Sequence, residues 1–301
     1  MGIALPDVVG NLARSVGADD WLAGLPELVE RLCAEWSITV GPAYEDATEA
    51  YVAAATRADG TPAVLKILVR RPGGTHAAEE LTVLRLARGE GCVELLRHDE
   101  ASGAMLLERL GPSMYRIGVP IDERHEILCR VARRLWRPAP GAGLPTGADR
   151  ARALVAYVET WWERLDRPCS EAAVRQALDA GTRRAAAHDD DRAVLVHGDV
   201  HQWNTLRAGD DWKLVDPDGL LAEPEFDLGV LMREDPLELM VGDPRDRSRH
   251  LAARTGLDET AIWEWGLINR LQNGLSCLEV DLEPYGTHCL AAADRIASLA
   301  G

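Results

Sequence analysis

The chain has 301 residues, 47% of them apolar and 27% charged, a length and composition that suit a globular protein with more than one small core. Its formal net charge of −16 argues against nucleic acid and anionic membranes as partners, because phosphate surfaces are read by clustered Lys and Arg, and is compatible with a cationic ligand.

Residues 21–36 have helical spacing, with Trp21, Leu22, Leu25, Leu28, Val29, Leu32 and Trp36 recurring along one face. Residues 49–70 are two apolar runs broken at Ala58-Asp59-Gly60-Thr61, a hairpin signal. A helix is predicted over 75–88, stopped by Gly89 and Gly91. The runs 92–99 and 104–110, split by Ala101-Ser102-Gly103, predict a second hairpin. Residues 37–108 therefore read as an antiparallel sheet with one inserted helix. Beyond Gly111-Pro112 the texture turns helical, over 122–137, 150–165, 170–188, 246–254 and 258–281, with a Pro- and Gly-rich loop at 137–147. One β-rich island, 193–216, interrupts the helices.

The expected architecture is α+β with two lobes. It comprises an N-terminal helical extension (1–36), a small N-lobe of sheet plus one helix (37–108) and a larger, mostly helical C-lobe (109–301). The six cysteines, Cys33, Cys92, Cys129, Cys169, Cys277 and Cys289, are scattered and form no C-x-x-C pair. They read as reduced thiols of a cytoplasmic protein rather than a metal site or disulfide framework. The first residues show no signal peptide, and no apolar run reaches the roughly 18 residues of a membrane span.

The island carries the chemistry. Val194-Leu195-Val196 predicts a strand that ends in His197-Gly198-Asp199. Thr205-Leu206-Arg207 and Trp212 to Val215 predict two more, joined by Ala208-Gly209-Asp210-Asp211 and ending at Asp216. A hairpin of this kind would gather Asp199, Asn204 and Asp216 at one end. His197, Asp199 and Asn204 fill H-x-D-x-x-x-x-N, and Asp216 follows Asp199 by 17 residues. Phosphoryl transfer to an alcohol needs a carboxylate at the nucleophilic hydroxyl. It also needs hard oxygen ligands for Mg²⁺, which keeps several waters and takes one or two protein carboxylates. In kinase catalytic loops the first Asp accepts the hydroxyl proton, while the Asn and second Asp hold metal. Such an enzyme also needs a strand lysine for the α- and β-phosphates and a helix glutamate to orient it. Lys66 is a lone charge in the apolar run Ala63 to Leu68, and the next helix offers Glu79 and Glu80, with Glu80 preferred.

Lys66, Glu80, HGDVHQWN (197–204) and LVDPDG (214–219), followed by LLAEPEFDLGVLM (220–232), resemble the aminoglycoside phosphotransferase family. The branch they resemble is that of streptomycin 6-phosphotransferases and hydroxyurea phosphotransferases. RADGTPAVLK (57–66), LLERL (106–110), VDPDGLLAEPEFDLG (215–229) and RLQN (270–273) are the most specific segments, and the resemblance runs over 21–298. It implies a two-lobed protein-kinase-like fold and ATP- and Mg²⁺-dependent O-phosphorylation of a small molecule. Asp199 would be the catalytic base, with Asn204 and Asp216 as metal ligands. Lys66 and Glu80 would serve the nucleotide phosphates, and the stretch through Leu107, Glu108 and Leu110 would be the hinge that meets adenine. His197 and Asp227 would be structural, Asp227 bracing the catalytic loop or capping the helix that follows it. A protein kinase is disfavoured, because only 11 residues separate Asp216 from Asp227, too few for an activation loop.

The chain departs from that pattern in three places. Residues 41–50, GPAYEDATEA, hold one glycine where kinases place a glycine-rich phosphate loop. RLQN is followed by Gly274, Ser276 and Cys277 rather than a nearby tryptophan. Trp203 stands inside the catalytic loop, either to stack on a substrate ring or to pack beneath the loop. For a cationic acceptor, carboxylate candidates are Glu279, Asp281 and Glu283, then Glu159 and the pair Glu234-Asp235. The acceptor first in line is an aminoglycoside antibiotic such as streptomycin, then another hydroxylated metabolite or antibiotic. A non-catalytic kinase-like nucleotide-binding protein is the rival from another class, favoured by the glycine-poor loop and opposed by intact Lys66, Asp199, Asn204 and Asp216.

Overall fold

The computed structural model describes residues 3–70 and 76–299; Thr75, at the start of the helix predicted over 75–88, lies outside them. The chain divides into two compact units, Met1–Gly111 and Pro112–Gly301.

In the first unit, helices α1 (Asp7–Ser15) and α2 (Asp19–Trp36) precede strands β1 (Ile38–Ala43), β2 (Ala50–Arg57) and β3 (Pro62–Leu68), helix α3 (His76–Ala87), and strands β4 (Leu95–Asp99) and β5 (Ala104–Glu108). The five strands form one antiparallel sheet in the order β1-β2-β3-β5-β4. Side chains alternate across a strand, and this decides the role of Lys66. Ala63, Leu65 and Ile67 of β3 face a core shared with Leu25, Val29, Leu32 and Trp36 of α2 and with Val9 and Ala13 of α1. The N-terminal helices thus cover one face of the sheet, and Lys66, paired with Val52 and Met105 in the sheet register, points to the other. The helix over 7–15 falls in the expected helical extension (1–36), though only 21–36 was delimited as a helix. Its nine residues bury Val9, Gly10 and Ala13.

The second unit contains α4 (Met114–Ile117), α5 (Ile121–Arg133), α6 (Gly147–Arg164), α7 (Glu171–Ala187), β6 (Val194–Val196), β7 (Thr205–Ala208), β8 (Asp211–Leu214) and β9 (Leu220–Ala222). After these come α8 (Glu225–Leu231), a 3-10 turn over Glu238–Met240, α9 (Arg245–Thr255), α10 (Glu259–Glu279) and α11 (Tyr285–Ser298). Serine, threonine or aspartate caps several of these helices. Thr146 and Asp149 form a reciprocal capping box on α6, Ser170 caps α7 and Asp258 caps α10. The segment after Arg133 leaves the helix predicted over 122–137, which frees Trp136 for a polar contact described below.

Helix α8 lies under the β6–β9 pair, and its approach to α10 is unusually close. A Cβ added at Gly229 would sit 2.2 Å from the Trp265 Cβ, and one at Gly266 would sit 2.5 Å from the Met232 Cβ. Phe226 and Trp265 meet edge to face at 4.7 Å between ring centroids. No helix among the described residues is long and apolar enough to cross a membrane.

Gly229→Ala should lower unfolding free energy by about 3 kcal/mol, because the two helices must part to admit the methyl group. Gly24→Ala, inside α2 with nothing within 4 Å of the added carbon, should raise it by about 0.5–1 kcal/mol. Denaturant midpoints of the two variants check both signs.

Candidate active site

In the first unit, Lys66 Nζ donates to both Glu80 oxygens, at 2.7 and 2.8 Å. Both side chains are buried, 7% and 6% exposed. Of the two acids on α3, Glu80 therefore supplies this ion pair. Leu107 and Glu108 end β5, where Glu108 Oε1 accepts from the Glu94 amide at 2.7 Å, and half-buried Leu110 follows. The β1–β2 connection, 44–49, has no glycine. Gly41 belongs to β1, where an added Cβ would make only ordinary contacts at 3.6–3.7 Å.

In the second unit the strand expected at 194–196 and the hairpin expected from 205–207 and 212–215 both form, as β6 and as β7 with β8. β7 and β8 pair with each other, but β6 pairs with β9, a strand the sequence reading did not separate from its surroundings. That hairpin brings Asn204 and Asp216 to one end, and His197 ties Asp199 to them. His197 is fully buried. Its Nδ1 accepts from the Asp199 amide at 3.2 Å, and its Nε2 contacts the Val215 carbonyl at 3.1 Å. The imidazole thus joins the start of the loop to the residue before Asp216, and these contacts fix the neutral Nε2–H tautomer. Burial lowers the His197 pKa to about 4. At the far end of the loop the Val215 amide donates to the Asn204 carbonyl at 2.9 Å, continuing the β7–β8 ladder.

Asn204 Nδ2 donates to Asp199 Oδ2 at 2.9 Å and to the Asp199 carbonyl at 3.3 Å, which leaves the amide oxygen for another partner. Asp216 holds a left-handed φ of 58°, which a short polar side chain tolerates. Among the described residues no group of three or more His, Cys, Asp and Glu side chains is arranged to enclose a metal. The Asn204 amide oxygen and the Asp216 carboxylate fit Mg²⁺, a hard ion that leaves most of its octahedron to water and phosphate oxygens.

Asp227 Oδ1 accepts from the Gly198 amide at 2.8 Å. Its Oδ2 accepts from the His197 amide at 3.1 Å and from Trp136 Nε1 at 2.8 Å. Asp227 lies within α8, whose N-cap is Pro224, so its carboxylate braces the loop and does not cap the helix. Burial pushes its pKa up to about 6, against the pull of the three donors. Gly198 must be glycine on two counts. Its φ is +90°, and an added Cβ would lie 2.8 Å from the Asp218 Cβ.

Two neighbours of Asp199 were not singled out for this role by the sequence. His201 Nε2 lies 3.0 Å from Asp199 Oδ2, and Arg233 Nη2 contacts Oδ1. Burial favours a raised Asp199 pKa, but His201 and Arg233 outweigh it and hold the carboxyl well below the usual range. The only sequence trace of Arg233 was its place just past EFDLGVLM. Glu234 is buried, accepts from the Gln202 amide at 3.3 Å through Oε1, and has its pKa raised by burial. Arg124 of α5 links the Gln202 side chain to Asp235.

The acceptor candidates separate. Trp203 stacks on Tyr115, with ring centroids 3.5 Å apart and planes 21° from parallel, and both rings are about half exposed, 48% and 49%. Glu279 accepts from the Tyr157 hydroxyl at 2.8 Å. Glu283 accepts from the Thr287 hydroxyl and amide at 2.6 and 3.3 Å. Two residues on, Tyr285 reaches the Arg233 carbonyl at 3.5 Å, so this end of the chain approaches the loop. Asp281 is exposed between them, with a φ of 56°. Glu159 lines an open groove with Arg152, Val155 and Thr182 between α6 and α7. It lies nine residues along α6 from Arg150, the residue that meets Asp218 at 3.1 Å, about 14 Å of helix at 1.5 Å per residue.

Residues 36–276 match the family described as aminoglycoside/hydroxyurea antibiotic resistance kinase. The chain is 33% identical over 307 residues to the streptomycin 6-kinase of Streptomyces griseus, spanning 98% of this chain and 97% of that one. It is 33% identical over 272 residues to the hydroxyurea phosphotransferase of Kitasatospora aureofaciens, spanning 85% and 74%. Solved structures similar to it include choline kinase from Cryptosporidium parvum Iowa II, with a TM-score of 0.63 and 11% identity over 91% of this chain and 96% of that one. Another is a thermostable mutant of aminoglycoside phosphotransferase APH(4)-Ia in ternary complex with ADP and hygromycin B, with a TM-score of 0.60 and 14% identity over 89% and 97%. At such identities the structural likeness establishes the fold, which is kinase-like.

Two predictions follow from these buried charges. Glu80→Ala should cost about 3–5 kcal/mol by stranding the Lys66 ammonium, whereas the double change Lys66→Met with Glu80→Leu should be near neutral in stability and inactive. Chemical denaturation with a turnover assay checks both. Burial, with Arg247 and Arg124 alongside, lowers the His125 pKa to about 3. The folded state then binds fewer protons than the unfolded one below pH ~6.5. The stability contributed by the neutral ring is complete above that pH and is lost as pH falls toward 3. His125→Gln should therefore lose less stability than the wild type between pH 7 and 4, by about 1.4 kcal/mol per unit below 6.5 at most, as read by denaturant titrations at each pH.

Proposed function

Since the chain belongs to the aminoglycoside/hydroxyurea antibiotic resistance kinase family, we propose that it transfers the γ-phosphoryl group of ATP to a hydroxyl of a small-molecule antibiotic, a streptomycin-type aminoglycoside first. The observation that carries this reading is the convergence of Asp199, Asn204 and Asp216 around buried His197. Asp199 orients the acceptor hydroxyl and takes its proton as the new O–P bond forms and the bond to ADP breaks. Asn204 and Asp216 would hold Mg²⁺, which supplies charge neutralisation at phosphate oxygens when bound. Lys66, held by Glu80, neutralises charge on the nucleotide phosphates. Leu107, Glu108 and Leu110 are the proposed adenine-contacting stretch. A cytoplasmic setting supplies the ATP and suits the six free thiols. A second reading, a small neutral hydroxylated acceptor of the hydroxyurea kind, is favoured by the arginine on Asp199.

The test is ADP release from Mg-ATP with a panel of streptomycin, other aminoglycosides and hydroxyurea. Wild type should turn over at least one acceptor, and Asp199→Asn should lower that rate by roughly 10²- to 10⁴-fold. A wild type that neither phosphorylates any of them nor binds Mg-ATP would sink the enzyme reading.

A further inference from the structure

An ionised carboxylate offers about four lone pairs, two on each oxygen. Those of Asp199 are nearly spoken for. Oδ2 meets Asn204 Nδ2 at 2.9 Å and His201 Nε2 at 3.0 Å. His201 Nδ1 accepts from the Trp203 amide at 3.2 Å, so its proton lies on Nε2 and is donated to Asp199. Oδ1 receives Arg233 Nη2 and has one lone pair left. A hydroxyl that donates to Asp199 while the loop keeps its shape must therefore dock on Oδ1, directly beside the guanidinium of Arg233.

Arg233 is built into this position. The carbonyl before it, Met232, accepts from buried Arg270 of α10, and the carbonyl after it, Glu234, accepts from buried Arg247 of α9. Its own carbonyl is within 3.5 Å of the Tyr285 hydroxyl. The side chain is 16% exposed. A guanidinium carries five N–H donors in a fixed plane, and among the described residues the one protein acceptor that the Arg233 side chain meets is Asp199. The other donors are open to a bound molecule.

We propose that Arg233 is an acceptor-contacting, specificity-determining residue. Its free N–H groups bind an oxygen next to the reacting hydroxyl, and they select acceptors in which that hydroxyl is flanked by a neutral or anionic oxygen such as a carbonyl. An ammonium or guanidinium in the same place meets like charge in a partly desolvated site. The planar fork suits a carbonyl or carboxylate better than a lysine would. The proposal rests on the phosphotransferase reading, with the second, hydroxyurea-like acceptor in place of the first, and on Asp199 as the hydroxyl's partner.

The experiment compares wild type, Arg233→Ala and Arg233→Lys in Mg-ATP turnover with two acceptors. Hydroxyurea carries a carbonyl beside its hydroxyl group, and streptomycin carries guanidino groups. In Arg233→Ala, kcat/KM for hydroxyurea should fall about 100-fold, the scale of one lost donor at a reacting centre, while KM for ATP stays within about threefold. The streptomycin-to-hydroxyurea preference should rise at least about tenfold by relief of like charge, taking 1.4 kcal/mol per decade. Arg233→Lys should fall between the two, and added methylguanidine should restore part of the Arg233→Ala loss. An unchanged preference ratio overturns the proposal, as does a rise in the ATP KM that matches the loss for the acceptor with no rescue. If the wild type turns over neither acceptor and does not bind Mg-ATP, the phosphotransferase reading falls first and this proposal with it.

Discussion

The geometry of the catalytic loop depends on one buried carboxylate. Asp227 gathers the amides of His197 and Gly198 and the indole of Trp136. Backbone N–H groups this deep need partners, and a loop between β6 and β7 has no ladder to supply them. Asp227 can reach them because α8 lies against α10 at a distance only Gly229 and Gly266 permit. Glycines on two helices thus set the height of a carboxylate, which sets the turn at Gly198, which aims Asp199. The following residues continue the same splint, with Arg233 on the Asp199 carboxylate and Glu234 on the Gln202 amide. A segment of nine residues, 227–235, therefore holds the loop at its start, at its middle and at Asp199.

The Lys66–Glu80 pair obeys a different logic. A buried ion pair is weak evidence for stability, because desolvating two charges offsets most of their attraction. Lys66 is one of only two lysines in the chain, the other cations being arginines. The sheet face that carries it is otherwise suited to apolar packing, with Val64 and Leu68 as its strand neighbours on that side. An ammonium kept there against that preference is what the proposed role at the nucleotide phosphates would require, and the fold alone does not call for it.

What could be read in the sequence follows from which signals are local. The Asp-Gly hairpin, the long amphipathic helices and the H-x-D-x-x-x-x-N spacing are all short-range, and they located β2–β3, α2, α6, α7, α10 and the loop. The partner of β6 was not legible, because β9 is three residues long and lies 24 positions after Val196 in the chain. The bracing role of Asp227 and its cap-like position looked alike in sequence, since both put an acid in the first turn of a helix. Contacts to loop residues 29 and 30 positions earlier separated them. Arg233 was silent because nothing local marks a side chain whose partner, Asp199, is 34 residues away. Trp203 was visible but not its stacking on Tyr115, for the same reason.

The overall acidity of the chain turns out to say little about the acceptor. Much of the charge sits on exposed helix faces, in pairs such as Glu163–Arg167 and Glu171–Arg175, where water and salt screen it. Around the catalytic loop the balance is different. Arg124, Arg233, Arg247 and Arg270 lie near Asp199, Glu234 and Asp235, and most of these side chains are buried. Fields at a site are set by charges within a few ångströms in low dielectric, not by the sum over a solvated surface. A chain with a net charge of −16 can therefore hold a guanidinium, rather than a ring of carboxylates, against Asp199.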